Sequence, residues 1–276
     1  MNRDTVLIEA DALLTALDDP NIRLYDATIL FYKNEEDAKG KPTAYEKYLQ
    51  GHIPGAAFFD HQNFSDATSK YPYTILPEAD LARQIGNIGI TEDSDVIVYS
   101  SKMLPCATRA WWMLRYAGHN NVRILNGGLA AWEKAGGTIE REPHTYPAAR
   151  FDCHLRPQML ADKTSIQAAT ADDGVGVVNS LSLESYENAH IPGSSCLPCG
   201  DLMQDWMSFL PNDELASRLK HELPYERVIT YCGGGIAATV NAIAHLMAGN
   251  KNVAVYDGSM YEWTGEGLPI TQGGKA

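Results

Sequence analysis

The sequence lacks several features that would assign it to particular classes of protein. It has no run of about 20 apolar residues, the length that a membrane-spanning helix needs. Its first residues, Met1 to Asp4, do not have the basic-then-apolar order of a signal peptide. Its five cysteines are an odd number in a chain of 276 residues, unlike the disulfide framework of a secreted protein. We therefore expect a soluble, cytoplasmic protein with reduced thiols.

Positive charge is also scarce. The 22 Lys and Arg residues are outnumbered by 35 Asp and Glu residues, so the formal net charge is −13. This balance opposes binding to nucleic acid and to anionic membranes, and small molecules or other proteins are the expected partners. The remaining composition, 45% hydrophobic and 21% charged, is that of an ordinary globular protein with one large or two medium domains.

The tetrapeptide H-I-P-G occurs twice, at residues 52–55 and 190–193. The chain around the two copies can be aligned, which indicates a tandem repeat of one domain. The aligned segments are 22–26 with 175–179, 96–99 with 228–231, Thr108 with Thr239, and Asn126 with Asp257. A proline-containing connector without clear periodicity lies between the halves, and it predicts domains at residues 1–145 and 146–276.

Each half alternates short apolar strands with helical segments, which predicts an α/β fold with a mostly parallel sheet covered by helices on both faces. The expected helices include residues 81–85 and 108–116 in the first half, and 215–219 and 237–248 in the second. In open α/β sheets the ligand binds beyond the carboxyl ends of the strands. Cys232 falls at such a position, and we expect the cleft between the halves to shelter it.

Cys232 follows a short apolar strand at residues 228–231 and precedes three glycines and a helix that we expect to begin at Ile236. Glycine permits positive φ, so the loop can turn its N–H groups inward as an anion nest, and the helix N-terminus adds partial positive charge. Such a cradle favours a thiolate. A packing cysteine on a glycine-rich turn is the alternative, but packing alone gives no reason for this order of elements.

The first half has no cysteine at the matching place. Ser100 stands opposite Cys232, and the following loop, expected to run to Cys106, is one residue longer and has no glycine. Cys106 then falls at the start of a helix, where packing is the expected role. We interpret the first half as a scaffold and as a wall of the cleft.

Four segments outside the Cys232 loop, at residues 51–60, 65–69, 76–77 and 109–113, make the chain resemble the two-domain rhodaneses. Within that family it is similar to the 3-mercaptopyruvate and thiosulfate sulfurtransferases over nearly its full length. The resemblance implies tandem rhodanese-like domains, the first catalytically inactive. It also implies a ping-pong reaction in which sulfur from a small donor is held as a persulfide on Cys232 and passed to a thiol, cyanide or a protein cysteine. No cofactor is expected. The residues expected to bind the substrate or persulfide are Gly233, Gly234, Gly235, Ile236, Ala237 and Ala238.

The loop departs from the patterns typical of the family, which are C-G-S-G-V-T-A and C-R-K-G-V-T-A. Gly234 replaces the serine or lysine and Ala237 the threonine, so the backbone must supply the stabilisation of the sulfur.

The chain also has no Lys or Arg between residues 163 and 218, where the family places arginines that hold the donor's anionic group. Either the first half supplies a cation, with Lys102 and Arg109 as candidates, or the donor is not a small anion. Solvation is the simpler interpretation for Lys102, and a structural ion pair is the simpler one for Arg109.

Cys196 and Cys199 have the spacing of a redox motif but lack the helix start that lowers the pKa of such thiols. Packing is the simpler interpretation, and the alternative is that one of them resolves the persulfide. No metal site is expected, because no nearby histidine completes a ligand set, and His190 should make a structural hydrogen bond in its turn.

The six-residue loop suits a single sulfur, which disfavours phosphatase chemistry. The sequence therefore favours a sulfurtransferase, with 3-mercaptopyruvate preferred over thiosulfate. The alternative is a sulfur-binding or regulatory rhodanese with little turnover.

Overall fold

The computed structural model describes residues 1–32, 34–169 and 171–274, and these form two halves of the same architecture. The strands of the first half are β1 (Leu7–Ile8), β2 (Ile22–Asp26), β3 (Ala57–Phe58), β4 (Asp95–Tyr99) and β5 (Val122–Leu125). Its helices are α1 (Arg3–Val6), α2 (Ala10–Ala16), α3 (Glu35–Ala38), α4 (Ala44–Gln50), α5 (Glu78–Asn87), α6 (Leu104–Tyr116) and α7 (Gly128–Lys134).

The strands of the second half are β6 (Leu160–Ala161), β7 (Val175–Asn179), β8 (Ser195–Cys196), β9 (Met203–Gln204), β10 (Ser208–Phe209), β11 (Arg227–Tyr231) and β12 (Val253–Tyr256). Its helices are α8 (Lys163–Ala169), α9 (Leu183–Asn188), α10 (Asn212–Arg218), α11 (Ala238–Met247) and α12 (Ser259–Gly265). Short 3-10 turns occur at His61–Phe64, Pro157–Met159 and Cys199–Leu202. In the described part of the chain, no helix combines the length and apolar character that crossing a membrane requires.

The two main sheets have the same strand order. It is β1-β5-β4-β2-β3 in the first half and β6-β12-β11-β7-β8 in the second, and every pair in both sheets is parallel. Parallel strands need crossover helices, which cover both faces and bury the strands. The predicted α/β fold with two parallel sheets is confirmed.

Helices α6 and α11 meet where the halves join. Both contribute to one central hydrophobic cluster that draws residues from the two halves, whereas two smaller clusters fill the outer faces of the sheets. The hydroxyls of Thr108 and Thr239, which the repeat pairs with each other, lie 2.8 Å apart at this junction. The repeat is therefore visible as an approximate twofold relation between the halves.

The expected starts of these two helices were wrong. α6 begins at Leu104, so the first-half loop has four residues and Cys106 lies inside the helix. Pro105 does not prevent this, because proline lacks only an N–H that the first helical turn leaves unpaired. α11 begins at Ala238, one residue after the expected range of 237–248 and two after the expected start at Ile236, because the buried Ile236 side chain packs against Ile29 and Cys106 of the first half. Ala238 is thus the first helical residue and not part of the loop.

The connector between the halves follows the surface of the first half. Glu140 pairs with His52 as an isolated bridge, and the Tyr146 hydroxyl donates to the Gly55 carbonyl at 2.9 Å. The N–H of Arg156 still donates to Tyr116 at the end of α6. The domain boundary near residue 145 stays a prediction.

Candidate active site

Cys232 lies directly after β11, at the carboxyl edge of the second sheet. It is buried, with 2% of its surface exposed. Its N–H donates to the Ser259 hydroxyl at 3.0 Å, and its carbonyl accepts the N–H of Met260 at 3.0 Å. These bonds fix the backbone of Cys232 against the first turn of α12.

The loop from β11 to α11 presents a row of free donors. The N–H groups of residues 233 to 237 have no hydrogen-bond acceptor among the residues that the structure describes. Gly235 has φ of +75°, and a Cβ there would lie 2.7 Å from the Asp257 carbonyl oxygen. Only glycine fits this position, since both its conformation and its space exclude a side chain. Five adjacent free N–H groups give the loop the composition of an anion nest.

Arg109 of α6 supports the loop from the first half. Its side chain is 2% exposed, and Nη1 lies 2.6 Å from Oδ1 of Asp257 and 3.1 Å from the Gly235 carbonyl oxygen. Nη2 donates to the Tyr73 carbonyl at 2.6 Å. The second carboxylate oxygen of Asp257 accepts the N–H of Ile75 at 2.8 Å. Arg109 therefore forms a structural ion pair, the simpler of its two interpretations, and its guanidinium is already engaged.

The other candidate cation, Lys102, is exposed on the first-half loop. In the described part of the chain, Arg109 is the one Lys or Arg whose side chain hydrogen-bonds to residues 232 to 237. The nest is accordingly formed from backbone groups, and no free cation of the described residues is bonded to it.

Ser180 lies just after β7, beside the end of the strand that precedes Cys232. Its N–H donates to the Tyr231 carbonyl at 2.8 Å, which continues the β7–β11 ladder by one residue. Alternation along β7 places Ser180 on the same face as Val178, which shares the central cluster with Cys232. Ser180 is fully buried, and its Oγ has no partner among the described residues. The sequence showed this serine at the strand end, but nothing in a local pattern marks its hydroxyl as unpaired.

The other cysteines of the second half lie in packed surroundings. Burial raises the pKa of Cys196 to about 11, and burial together with the nearby Cys232 raises the pKa of Cys199 to about 12. Such thiols stay protonated near neutral pH, and a thiol is a far weaker nucleophile than a thiolate. These shifts favour packing over a resolving role for either residue.

His190 makes the structural contacts expected of it. Its Nδ1 lies 2.8 Å from the Tyr186 carbonyl oxygen, and its ring stacks on Tyr186 with centroids 3.8 Å apart. Among the described residues, no group of three or more His, Cys, Asp or Glu side chains could hold a metal ion.

The first-half loop shows what happens without the glycines. Ser100 occupies the position of Cys232, and its hydroxyl accepts the N–H groups of Lys102 and Met103 at 3.1 and 3.2 Å. The N–H of Ser101 donates to Thr28. The N–H groups of residues 101 to 103 in this short loop are therefore already bonded to hydroxyl groups.

The fold and the site together define a two-domain α/β protein with a buried cysteine in one of two related strand–loop–helix turns. The family model described as the rhodanese-like domain matches residues 9–135 and 164–266. The chain belongs to the rhodanese family.

Two relatives and one solved structure specify the type. The chain is 30% identical over 272 residues to the 3-mercaptopyruvate sulfurtransferase of Escherichia coli strain K12, which covers 94% of this chain and 95% of that protein. It is 30% identical over 285 residues to the thiosulfate sulfurtransferase of Bos taurus, over 93% of this chain and 91% of that protein. SseA from Escherichia coli, one of the 3-mercaptopyruvate sulfotransferases, superimposes with a TM-score of 0.82 and 30% identity over 92% of this chain and 98% of its own. The chain is a sulfurtransferase of this type.

Proposed function

We propose that this protein moves a sulfane sulfur from a small donor to a thiol, cyanide or protein cysteine through a persulfide on Cys232. The observation that carries the proposal is the buried Cys232 at the head of a loop with five free N–H groups. These donors can hold an anionic sulfur before and after transfer. We propose the hydroxyl of Ser180 as one further donor, because it is buried and has no partner among the described residues.

The chemistry needs one nucleophile and no redox partner. The Cys232 thiolate attacks the donor sulfur and forms an S–S bond while the bond from that sulfur to the rest of the donor breaks. With 3-mercaptopyruvate, the C–S electron pair leaves as the pyruvate enolate, which takes up the thiol proton and becomes pyruvate. With thiosulfate, sulfite leaves with the electron pair. An acceptor thiolate or cyanide then attacks the outer sulfur and releases the Cys232 thiolate.

We favour 3-mercaptopyruvate over thiosulfate as the donor. Thiosulfate carries two negative charges, and in the described structure the one guanidinium bonded to the loop is already paired with Asp257. A donor with a single carboxylate needs less compensation by positive charge. The relatives of the two types are equally similar in sequence, so the argument depends on the charges of the site.

Intact-mass measurement tests the persulfide. After exposure to 3-mercaptopyruvate, the wild-type protein should gain the mass of one sulfur atom, and Cys232→Ser should not. Cys153→Ser is the matched control, because Cys153 lies in the connector and should leave loading unchanged. If no donor adds sulfur to the wild type, the enzyme proposal fails, and a regulatory rhodanese without turnover becomes the better interpretation.

The ratio of kcat/KM for the two donors tests the preference for 3-mercaptopyruvate. A higher kcat/KM for thiosulfate would contradict that preference.

A further inference from the structure

The side chain of Tyr261 lies across the outer face of the Cys232 loop. Its N–H donates to the Gly233 carbonyl at 2.9 Å. A Cβ at Gly233 would lie 3.6 Å from both Cζ and Oη of the Tyr261 ring. A Cβ at Gly234 would lie 2.8 Å from its Cδ2 and 2.9 Å from its Cε2. The tyrosine ring thus fills the space that a side chain at position 234 would need.

The turn before α12 fixes this placement. Ser259 has φ of +49°, an uncommon conformation for a residue with a side chain, and its hydroxyl both donates to the Tyr256 carbonyl and accepts the N–H of Cys232. The turn carries Tyr261 over the loop two residues later. Because the same hydroxyl bonds to both segments, the position of Tyr261 relative to Cys232 is held by short contacts.

Residues of the first half lie beside the Tyr261 ring and α12. The Pro72 carbonyl oxygen would lie 3.7 Å from a Cβ at Gly234, and the ring of Tyr71 contacts α12 at Gly265. Tyr261 is 51% exposed, whereas Cys232, which precedes the two glycines that Tyr261 contacts, is 2% exposed. A molecule that approaches the buried sulfur from this side passes the Tyr261 ring.

We propose that Tyr261 determines donor specificity. Its hydroxyl donates a hydrogen bond to a carboxylate or sulfonate oxygen at the end of the donor that is not transferred, and its ring sets the width of the approach to Cys232. The phenol hydroxyl then does part of the work of a cation, which fits a loop to which, among the described residues, one guanidinium is bonded, and that guanidinium is already paired. This inference rests on the proposed sulfur transfer and names the residue that recognises the donor.

The test separates the hydroxyl from the ring. Tyr261→Phe removes only the hydroxyl, so KM for 3-mercaptopyruvate should rise about tenfold, the usual effect of losing one hydrogen bond to a charged group. The kcat value should stay within about twofold, because the nest around the sulfur is unchanged. Tyr261→Ala removes the ring as well, and the kcat/KM ratio between 3-mercaptopyruvate and thiosulfate should then move towards one.

Tyr225→Phe is the matched control, because Tyr225 is a surface tyrosine that contacts Gly176 at the start of the second-half sheet, the end opposite Cys232. It should change neither constant. Normal sulfur loading with an unchanged KM in Tyr261→Phe would overturn the inference and leave sulfur transfer standing. Absence of sulfur loading in the wild type would overturn both. If kcat falls equally in Tyr261→Phe and Tyr261→Ala while KM is unchanged, the role of Tyr261 is structural. That result would also overturn the inference.

Discussion

Asp26 and Asn179 occupy the same place in the two halves, at the end of the strand beside the loop strand. Each uses Oδ1 to accept a backbone N–H two residues later, from Thr28 at 3.0 Å and from Leu181 at 2.8 Å. Each also has a second buried polar atom without a partner among the described residues. They differ in charge, and burial raises the pKa of Asp26 to about 6.

Because its pKa is raised, the ionised carboxylate of Asp26 lowers the free energy of unfolding at neutral pH. The carboxyl group has a pKa near 3.8 when unfolded and about 6 when folded, so the folded state binds more protons between these values. Stability therefore falls as pH rises from about 4 to about 6, by about 3 kcal/mol in total. Asp26→Asn removes the charge and keeps the Oδ1 acceptor, as Asn179 does.

We predict that Asp26→Asn increases the free energy of unfolding at pH 7.5 by up to about 3 kcal/mol and gives little or no gain at pH 4. Urea unfolding at the two pH values measures the difference. The reciprocal change, Asn179→Asp, should destabilise the protein more at pH 7.5 than at pH 4. An Asp26→Asn effect that does not depend on pH would show that the charge of Asp26 is not its cause.

At the scale of elements, the two strand–loop–helix turns support the proposal that only the second half carries the chemistry. The Cys232 loop has six residues and five free N–H groups, whereas the Ser100 loop has four residues and directs two N–H groups at its own serine. A nest needs several donors that converge on one point. We therefore expect loop length, and not only the missing cysteine, to keep the first half inactive.

We predict that a cysteine alone does not make the first half active. Ser100→Cys in a Cys232→Ser background should gain no sulfur from 3-mercaptopyruvate, because the short loop offers too few donors to hold a persulfide. Intact-mass measurement gives the result, and the Cys232→Ser variant without the second change is the baseline. Sulfur on the introduced cysteine would show that loop length is not decisive.

The sequence predicted those elements whose signals are local. Each of these signals is a short run of residues: the strand before Cys232, the glycine run, and each copy of H-I-P-G. Together they were enough to predict the parallel sheets and the position of the loop. The start of α6 was wrong, because Pro105 was interpreted as a loop residue although the first helical turn accepts proline.

Contacts between distant residues could not be predicted in the same way. Tyr261 contacts Gly234 across the turn before α12, and the buried hydroxyl of Ser180 has no partner among the described residues. The pairing of Arg109 with Asp257 joins the two halves. Hydrophobic periodicity carries no information on which polar groups such packing brings together.

At the scale of the whole molecule, each half supports the loop region of the other. Asp257 accepts the N–H of Ile75 from the first half, and Asn126, its counterpart in the repeat, accepts the N–H of Phe209 from the second at 3.0 Å. Among the described residues, the guanidinium of Arg109 bonds to the Cys232 loop, and no arginine bonds in this way to the Ser100 loop. The first half therefore supports the proposed active site, although none of its side chains is proposed to react.

The Arg109–Asp257 pair should show this dependence energetically. We predict that Arg109→Met lowers the free energy of unfolding by about 3–5 kcal/mol, because it leaves the buried Asp257 carboxylate without its partner. The double variant Arg109→Met, Asp257→Asn should recover much of this loss, because no charge is then left uncompensated. Arg123→Met is the matched control, since the Arg123–Asp95 pair is partly exposed and its loss should cost about 1 kcal/mol or less.

Urea unfolding of the wild type, Arg109→Met, Asp257→Asn and the double variant gives the coupling energy between Arg109 and Asp257. Sulfur loading should remain slow in the double variant even where stability returns, because the Gly235 carbonyl no longer has the guanidinium that holds it. If stability recovers but the loading rate does not, Arg109 has two distinct roles: it stabilises the fold through Asp257, and it holds the Cys232 loop in shape. Strictly additive effects of the two substitutions would contradict the coupling, and a double variant that loads sulfur at the wild-type rate would show that the loop holds its shape without the first half.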